Sequence, residues 1–156
     1  MLDIYIDADG CPVKQEVYRV AARYGLKVVV VANSRMRVPN DASVELVLVN
    51  DRLDAADDWI VEHVAENDIV VSGDILLASR CLKKGARVLG PRGRIFSEDS
   101  IGEAIASREL LSHLRELGTI TGGPPAQEKR DRSRFLRSLD EIIQDVRKGK
   151  QRHQQL

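Results

Sequence analysis

The sequence predicts an α/β protein built on a mostly parallel five-stranded sheet, with helices on both faces and further helices at its C-terminal end. Three observations predict it. Five apolar stretches have strand length: 2–7 (LDIYID), 27–32 (KVVVVA), 44–49 (VELVLV), 69–71 (IVV) and 86–89 (ARVL). The second, third and fourth are continuous β-branched runs, which suit strands covered on both faces, as in parallel sheets. The stretches alternate with segments of helical periodicity, the order expected of parallel crossovers.

In residues 2–7, Leu2, Ile4 and Ile6 alternate with Asp3, Tyr5 and Asp7, as on a strand. Pro12 suits the first turn of a helix. Val13, Val17, Val20, Ala21 and Tyr24 follow at helical spacing, and Gly25 is a natural stop. The link from Ser34 to Ser43 is short for a parallel crossover, and its pattern does not specify a structure. Helices are expected over Asp54–Val64 and Ile75–Lys84, the second ending at Gly85.

The chain changes character after Gly90. A helix is expected from about Glu98 to Leu117, then a rigid loop, TGGPP at 121–125, and a charged segment, QEKRDRSRFLR at 127–137. A last amphipathic helix, near Ser133–Val146, carries the stripe Phe135, Leu136, Leu139, Ile142, Ile143 and Val146. This stripe must bury itself against the α/β core or against a second subunit of a homodimer. The reading is one domain over 1–150, in which 117–150 is a loop and helix packing on the core, with 151–156 a frayed tail.

With 156 residues, 43% of them hydrophobic, the chain is the size of one ordinary globular domain. No apolar run approaches the roughly 20 residues that span a bilayer. Asp3 and Asp7 interrupt the apolar N-terminal stretch, which has no basic region, so a secretion signal is not expected. Cys11 and Cys81 show neither zinc spacing nor a CxxC pair and read as reduced thiols of a cytoplasmic protein. Cys11 would lie near a helix start, where a thiol pKa can fall. Formal net charge is zero, but residues 1–85 carry 14 acids and 10 bases, and residues 86–156 carry 10 acids and 14 bases. An acidic metal site beside basic phosphate-binding surface would produce that asymmetry, as would ordinary variation in solvated faces.

Open parallel sheets bind ligands outside the carboxyl ends of their strands. Asp7 ends the first strand and Asp9 follows it. Asn33 and Ser34 end the second. Asp54, Asp57 and Asp58 occupy the first turns of the helix after the third, and Asp74 follows the fourth in Ser72-Gly73-Asp74. Arg92 follows the fifth. On the 54–64 helix, Asp57 falls roughly 40° from the apolar direction set by Leu53, whereas Asp54 and Asp58 lie at roughly 100° and 140°. Asp57 is therefore the carboxylate expected to face the sheet edge. Clustered carboxylates without grouped histidines or cysteines suit Mg²⁺ or Mn²⁺ better than zinc. Capping of the following helix is the competing explanation for Asp9 and for Asp74, and solvation or the helix dipole for Asp54 and Asp58.

The motifs DADGCPVK (7–14), NS (33–34), DAADDWI (54–60), SGDILLA (72–78), PRG (91–93), TGGP (121–124) and DRSRFLRSLD (131–140) occur in this order. Together they resemble the uncharacterised bacterial YaiI/YqxD family, often grouped with PIN-like domains, over nearly the whole chain. The family usually has alanine where Gly10 stands. The resemblance implies a three-layer α/β/α fold. PIN-like domains are typically metal-dependent nucleases, often acting on RNA, and Asp7, Asp57 and Asp74 match the positions of their metal-binding acids. Asp9, Asp54 and Asp58 are additional carboxylates.

The expected activity is thus Mg²⁺- or Mn²⁺-dependent hydrolysis of RNA phosphodiesters. Asp7, Asp57 and Asp74 would hold metal, Asp9 or Asp58 would act as general base, and Lys14, Asn33, Ser34 and Arg92 would position phosphate. Arg130 and Arg132 would guide the nucleic-acid backbone. No membrane partner is expected. Two other readings compete. One is a non-catalytic binding module on the same fold. The other is a phosphatase resembling the haloacid dehalogenases, with Asp7 and Asp9 as its DxD motif and Asp7 as nucleophile. Its lysine is expected before a final acidic pair, whereas Lys83 and Lys84 follow Asp57 and Asp58 here.

Overall fold

The computed structural model describes residues 2–9, 11–52, 54–103, 105–107 and 129–154, with side chains as far as residue 149. Leu53, the loop at 121–125 and the predicted helix beyond residue 107 lie outside the described residues.

Six strands form one sheet, β1 (Asp3–Asp7), β2 (Lys27–Ala32), β3 (Val44–Leu48), β4 (Ile69–Val71), β5 (Arg87–Leu89) and β6 (Ile95–Phe96), in the order β3-β2-β1-β4-β5-β6. The first five are mutually parallel, as predicted, and β6 adds an antiparallel pair to β5. Helices α1 (Lys14–Tyr24), α2 (Ala55–His63) and α3 (Ile75–Lys83) connect the strands. Residues 98–103 and 105–107 are helical (α4). The final helix, α5 (Lys129–Gln154), runs well beyond the predicted span at both ends.

Side-chain alternation along the strands divides the core into two layers. Ile4, Ile6, Val28, Val30, Ile69 and Val71 pack with α1 and α5 on one face. On the other, Tyr5, Val29, Val31, Val70 and Val88 pack with α2 and α3. The result is a three-layer α/β/α arrangement. Residues 33–43 cross from β2 to β3 without a helix, and Met36 and Val38 pack against the α1 layer instead. The third apolar run departs from expectation. Its strand, β3, is the sheet edge and is only half-buried, with Leu48 45% exposed. Strand order, which the composition of a run does not encode, decides this.

The C-terminal stripe buries against this same chain. Phe135, Leu139, Ile142, Ile143 and Val146 are all 0–4% exposed. At about 1.5–3 kcal/mol for each large apolar side chain buried, they fix α5 on the α1 layer. Asp140 accepts hydrogen bonds from Tyr24 and Arg23, and Asp145 pairs with Arg87 at 3.0 Å. At the other end Gly93, with φ +91°, lies under α5: a Cβ there would sit 2.8 Å from the Arg134 carbonyl carbon and 2.9 Å from the Phe135 nitrogen. The Ser138 hydroxyl donates to the Gly93 carbonyl at 2.7 Å. Arg87 opens β5 and Gly93 follows it, so α5 runs antiparallel to β5 and brings its first turns to the carboxyl edge of the sheet. No helix among the described residues is long and apolar enough to cross a membrane.

Candidate metal and phosphate cleft

The chain leaves β1 toward α1 on one face and leaves β4 toward α3 on the other. Adjacent parallel strands whose connections diverge in this way open a crevice at their carboxyl ends. A cleft of about 430 Å³ lies there, and its lining includes Asp7, Asp9, Asp51, Asp54, Asp57 and Asp74. Asn33, Ser72 and Pro91 also line it, and Arg52 is the cation among the described lining residues.

Asp7 is the last residue of β1 and shares the parity of Tyr5, so it leaves the sheet toward α2 and α3. Its Oδ2 accepts a hydrogen bond from the buried Ser72 hydroxyl at 3.1 Å, and that hydroxyl oxygen accepts from the Asp74 backbone N–H at 3.0 Å. Ser72 thereby ties the ends of β1 and β4 together. Burial pushes the Asp7 carboxyl up; the Ser72 bond opposes this, while Asp9 and Asp74 add to it by repulsion.

Asp57 sits in the first turn of α2, where the wheel geometry put it. Its carboxyl is pushed up to about 6, first by burial and then by Asp7, Asp74 and Asp54, with Arg80 opposing. Three elements thus direct negative charge at one another across one cleft. Asp54 precedes α2 with φ 65°, a left-handed conformation that aspartate tolerates better than most residues, and makes no side-chain cap bond. Asp74 does cap: its Oδ1 accepts from the Leu76 and Leu77 N–H groups at 2.9 and 3.2 Å. Capping engages one carboxylate oxygen, so cap and cleft roles coexist in this residue.

The other expected site residues divide. Asp9 and Asn33 are exposed and line the cleft. Ser34 is exposed but outside the lining. Asp58 is also outside it; its carboxylate pairs with Arg80 at 3.0 Å and Arg52 at 3.4 Å. The Lys14 ammonium donates to the Cys11 and Ala8 carbonyls at 2.9 and 3.4 Å, closing the loop between β1 and α1. Arg92 is half-buried between Pro91, which lines the cleft, and Gly93, which carries α5. Arg130 and Arg132 are exposed in the first turns of α5, at the same edge of the sheet. Cys11 borders the cleft, yet burial pushes its thiol up, opposite to the lowering a helix start would give; α1 begins three residues later. Sequence reasoning missed Asp51, Arg52 and the bridging role of Ser72. Of these only Ser72 had a signal, its place in the SGD motif after a strand.

Among the described residues, no three His, Cys, Asp or Glu side chains are gathered closely enough to cage a metal ion directly. The donors nevertheless suit a hydrated hard cation. Mg²⁺ keeps several waters and is commonly held by one or two carboxylates together with substrate phosphate. The mutual repulsion of Asp7, Asp57 and Asp74 is the charge such an ion would relieve. Cys11, whose thiol burial pushes up, is the soft ligand of the described lining.

The model of the uncharacterised YaiI/YqxD family matches residues 5–145. A UPF0178 protein of Rhodopseudomonas palustris (strain BisB18) is 53% identical over 146 residues, covering 94% of each chain. One from Rhodospirillum centenum is 53% identical over 154 residues, 96% of this chain and 100% of the relative. Another, from Caulobacter sp. (strain K31), is 51% identical over 148 residues, 95% and 98% of the two.

Proposed function

We propose that this chain, which belongs to the uncharacterised YaiI/YqxD family, is a Mg²⁺- or Mn²⁺-dependent nuclease that hydrolyses RNA phosphodiesters in the carboxylate cleft. The observation that carries the reading is the convergence of Asp7, Asp57 and Asp74 on one cleft from the end of β1, the first turn of α2 and the start of α3, where burial and the neighbouring carboxylates push the Asp57 carboxyl up to about 6. A divalent cation between these like charges would relieve their repulsion. The family that the sequence motifs resemble is often grouped with PIN-like domains, which are typically metal-dependent nucleases.

Asp7, Asp57 and Asp74 are the residues that would hold the ion. A bound divalent ion supplies charge stabilisation at a phosphoryl oxygen and lowers the pKa of a coordinated water. Ser72 holds Asp7 in place through its hydroxyl. Asp9, exposed on the rim, is the candidate to accept a proton from water; Asp58, paired with two arginines, is less suited to that task. Asn33 lines the cleft and Arg92 follows Pro91, another lining residue, and Arg130 and Arg132, exposed in the first turns of α5, would meet the nucleic-acid backbone. Aromatic residues are 4% of the chain, so recognition would rest on phosphate rather than on base stacking.

The phosphatase reading is weaker. Lys83 and Lys84 stand at the far end of α3 from the cleft, and Lys84 donates to the Val61 carbonyl. A phosphoaspartate trapped at Asp7 would reinstate it. The test of the nuclease is a cleavage screen over RNA and DNA pools with Mn²⁺. The expected result is cleavage of RNA by the wild type and none by Asp7→Asn. Mn²⁺-dependent RNA binding without cleavage would assign a binding module instead, and equal cleavage by both proteins would refute the site.

A further inference from the structure

Six aspartates line the cleft, and among the described lining residues Arg52 is the single cation. Its backbone is held from both sides. The Arg52 N–H donates to Asn50 Oδ1 at 3.0 Å, and the Arg52 carbonyl accepts from the Ala55 N–H at 3.1 Å. The root of the side chain is therefore fixed at the turn leading into α2. Its tip is not: the side chain is 68% exposed and reaches Asp58 Oδ2 at 3.4 Å, a long contact. Asp58 has a closer partner in Arg80, whose Nη1 donates to Oδ1 at 3.0 Å.

Two guanidinium groups thus share one carboxylate, and the trio carries a net positive charge. If Arg52 left, Asp58 would keep Arg80, so no charge would be stranded by the move. An exposed ion pair of this kind is weak. The planar guanidinium fork matches two phosphate oxygens better than it matches the one carboxylate oxygen that Arg80 leaves to it. A phosphodiester entering a cleft lined by six carboxylates needs countercharge, and Arg52 is the side chain placed to supply it.

We propose that Arg52 is the phosphate-binding arginine of the cleft, parked on Asp58 when no phosphate is present and moving onto the phosphate when one enters. Asp58 is then a positioning residue for Arg52 rather than a base. The proposal rests on the reading of the cleft as a phosphodiester site and assigns the group that recognises the ester.

Two probes test it on the intact chain. Inorganic phosphate is titrated into ¹⁵N-labelled protein while the Arg52 side-chain Nε–H resonance, assigned by its loss in Arg52→Ala, is followed. A labelled single-stranded RNA 12-mer is titrated by fluorescence anisotropy with Ca²⁺ as the divalent ion. Phosphate should shift the Arg52 resonance. Arg52→Ala should weaken RNA binding about 10-fold and flatten its salt dependence by about 0.7 in log–log slope, the value for one phosphate neutralised on a single strand. Arg52→Lys should recover only part of the affinity. Asp58→Asn, which removes the competing carboxylate, should tighten phosphate binding by about two- to five-fold; a merely structural Asp58 would not produce that gain. A resonance that moves with phosphate in a protein that binds no RNA would uphold Arg52 and overturn the nuclease reading. A resonance unmoved by phosphate, with unchanged RNA affinity in a folded Arg52→Ala protein, would overturn the proposal.

Discussion

Replacing Asp57 by asparagine should make the metal-free protein more stable. The asparagine keeps the shape of the side chain and removes the charge that Asp7, Asp74 and Asp54 repel. The carboxyl titrates near 3.8 when unperturbed and at about 6 in the folded chain, a difference worth about 3 kcal/mol at 1.36 kcal/mol per pKa unit. Asp57 is only half-buried, so solvent screening reduces this to about 1–2 kcal/mol. The folded pKa lies above the unfolded one. The folded state therefore binds the proton more tightly, and the wild type loses stability as pH rises from about 4 through about 6. Above that window the full penalty applies. In a chain of this size 1–2 kcal/mol corresponds to a melting shift of about 2–8 °C. Thermal unfolding in EDTA should show Asp57→Asn melting above the wild type at pH 8, with the gap closing as pH falls toward 4. Millimolar Mn²⁺ should then raise the wild type more than the variant, by about 2.7 kcal/mol if the ion is present at 100 times its dissociation constant. A variant that melts below the wild type at pH 8 in EDTA, or one that gains equally from Mn²⁺, would refute the argument that these carboxylates form one charge-strained site.

Two further variants test how α5 is joined to the cleft. Gly93→Ala forces a Cβ to within 2.8 Å of the α5 backbone at a φ of +91°, and should lower stability by about 2–4 kcal/mol, read as a lower urea midpoint; an unchanged midpoint would mean that the helix yields freely. The double change Arg130→Ala, Arg132→Ala should flatten the salt dependence of RNA binding by about 0.7 in log–log slope for each arginine that neutralises a phosphate. Unaltered affinity and slope would leave the start of α5 a structural brace.

The layers of this fold were legible because each rests on a short-range pattern. The β-branched runs marked the parallel strands, and helical spacing marked α1, α2 and the buried stripe of α5. The strand-end rule pointed to Asp7, Asp57 and Asp74, which line one cleft. What escaped depends on contacts between distant segments. Ile95 and Phe96 are too few to show a period, and they become β6 only because Gly90 and Arg94 close a turn, the Gly90 N–H donating to the Arg94 carbonyl at 2.8 Å. Asp58 reads from the sequence as a candidate general base or a solvated carboxylate. Its pairing with Arg80 comes from α3, 22 residues away, and nothing in DAADDWI announces it. Arg52 sits in a turn whose composition reads as ordinary loop, and only the fold places it at the cleft. Lys14, the last residue of the first motif, reads from the sequence as a phosphate-positioning residue, and its contacts to the Ala8 and Cys11 carbonyls are a loop closure that the motif does not announce.

The central claim is that Asp7, Asp57 and Asp74 hold one divalent cation between the ends of β1 and β4. Crystals grown with Mn²⁺ and measured at the manganese absorption edge test it directly. The account predicts an anomalous peak in the cleft, coordinated by these carboxylates or by waters bound to them, and its disappearance in Asp7→Asn. No peak in the cleft at millimolar Mn²⁺, or a peak that survives the loss of the Asp7 carboxylate unchanged, would contradict it.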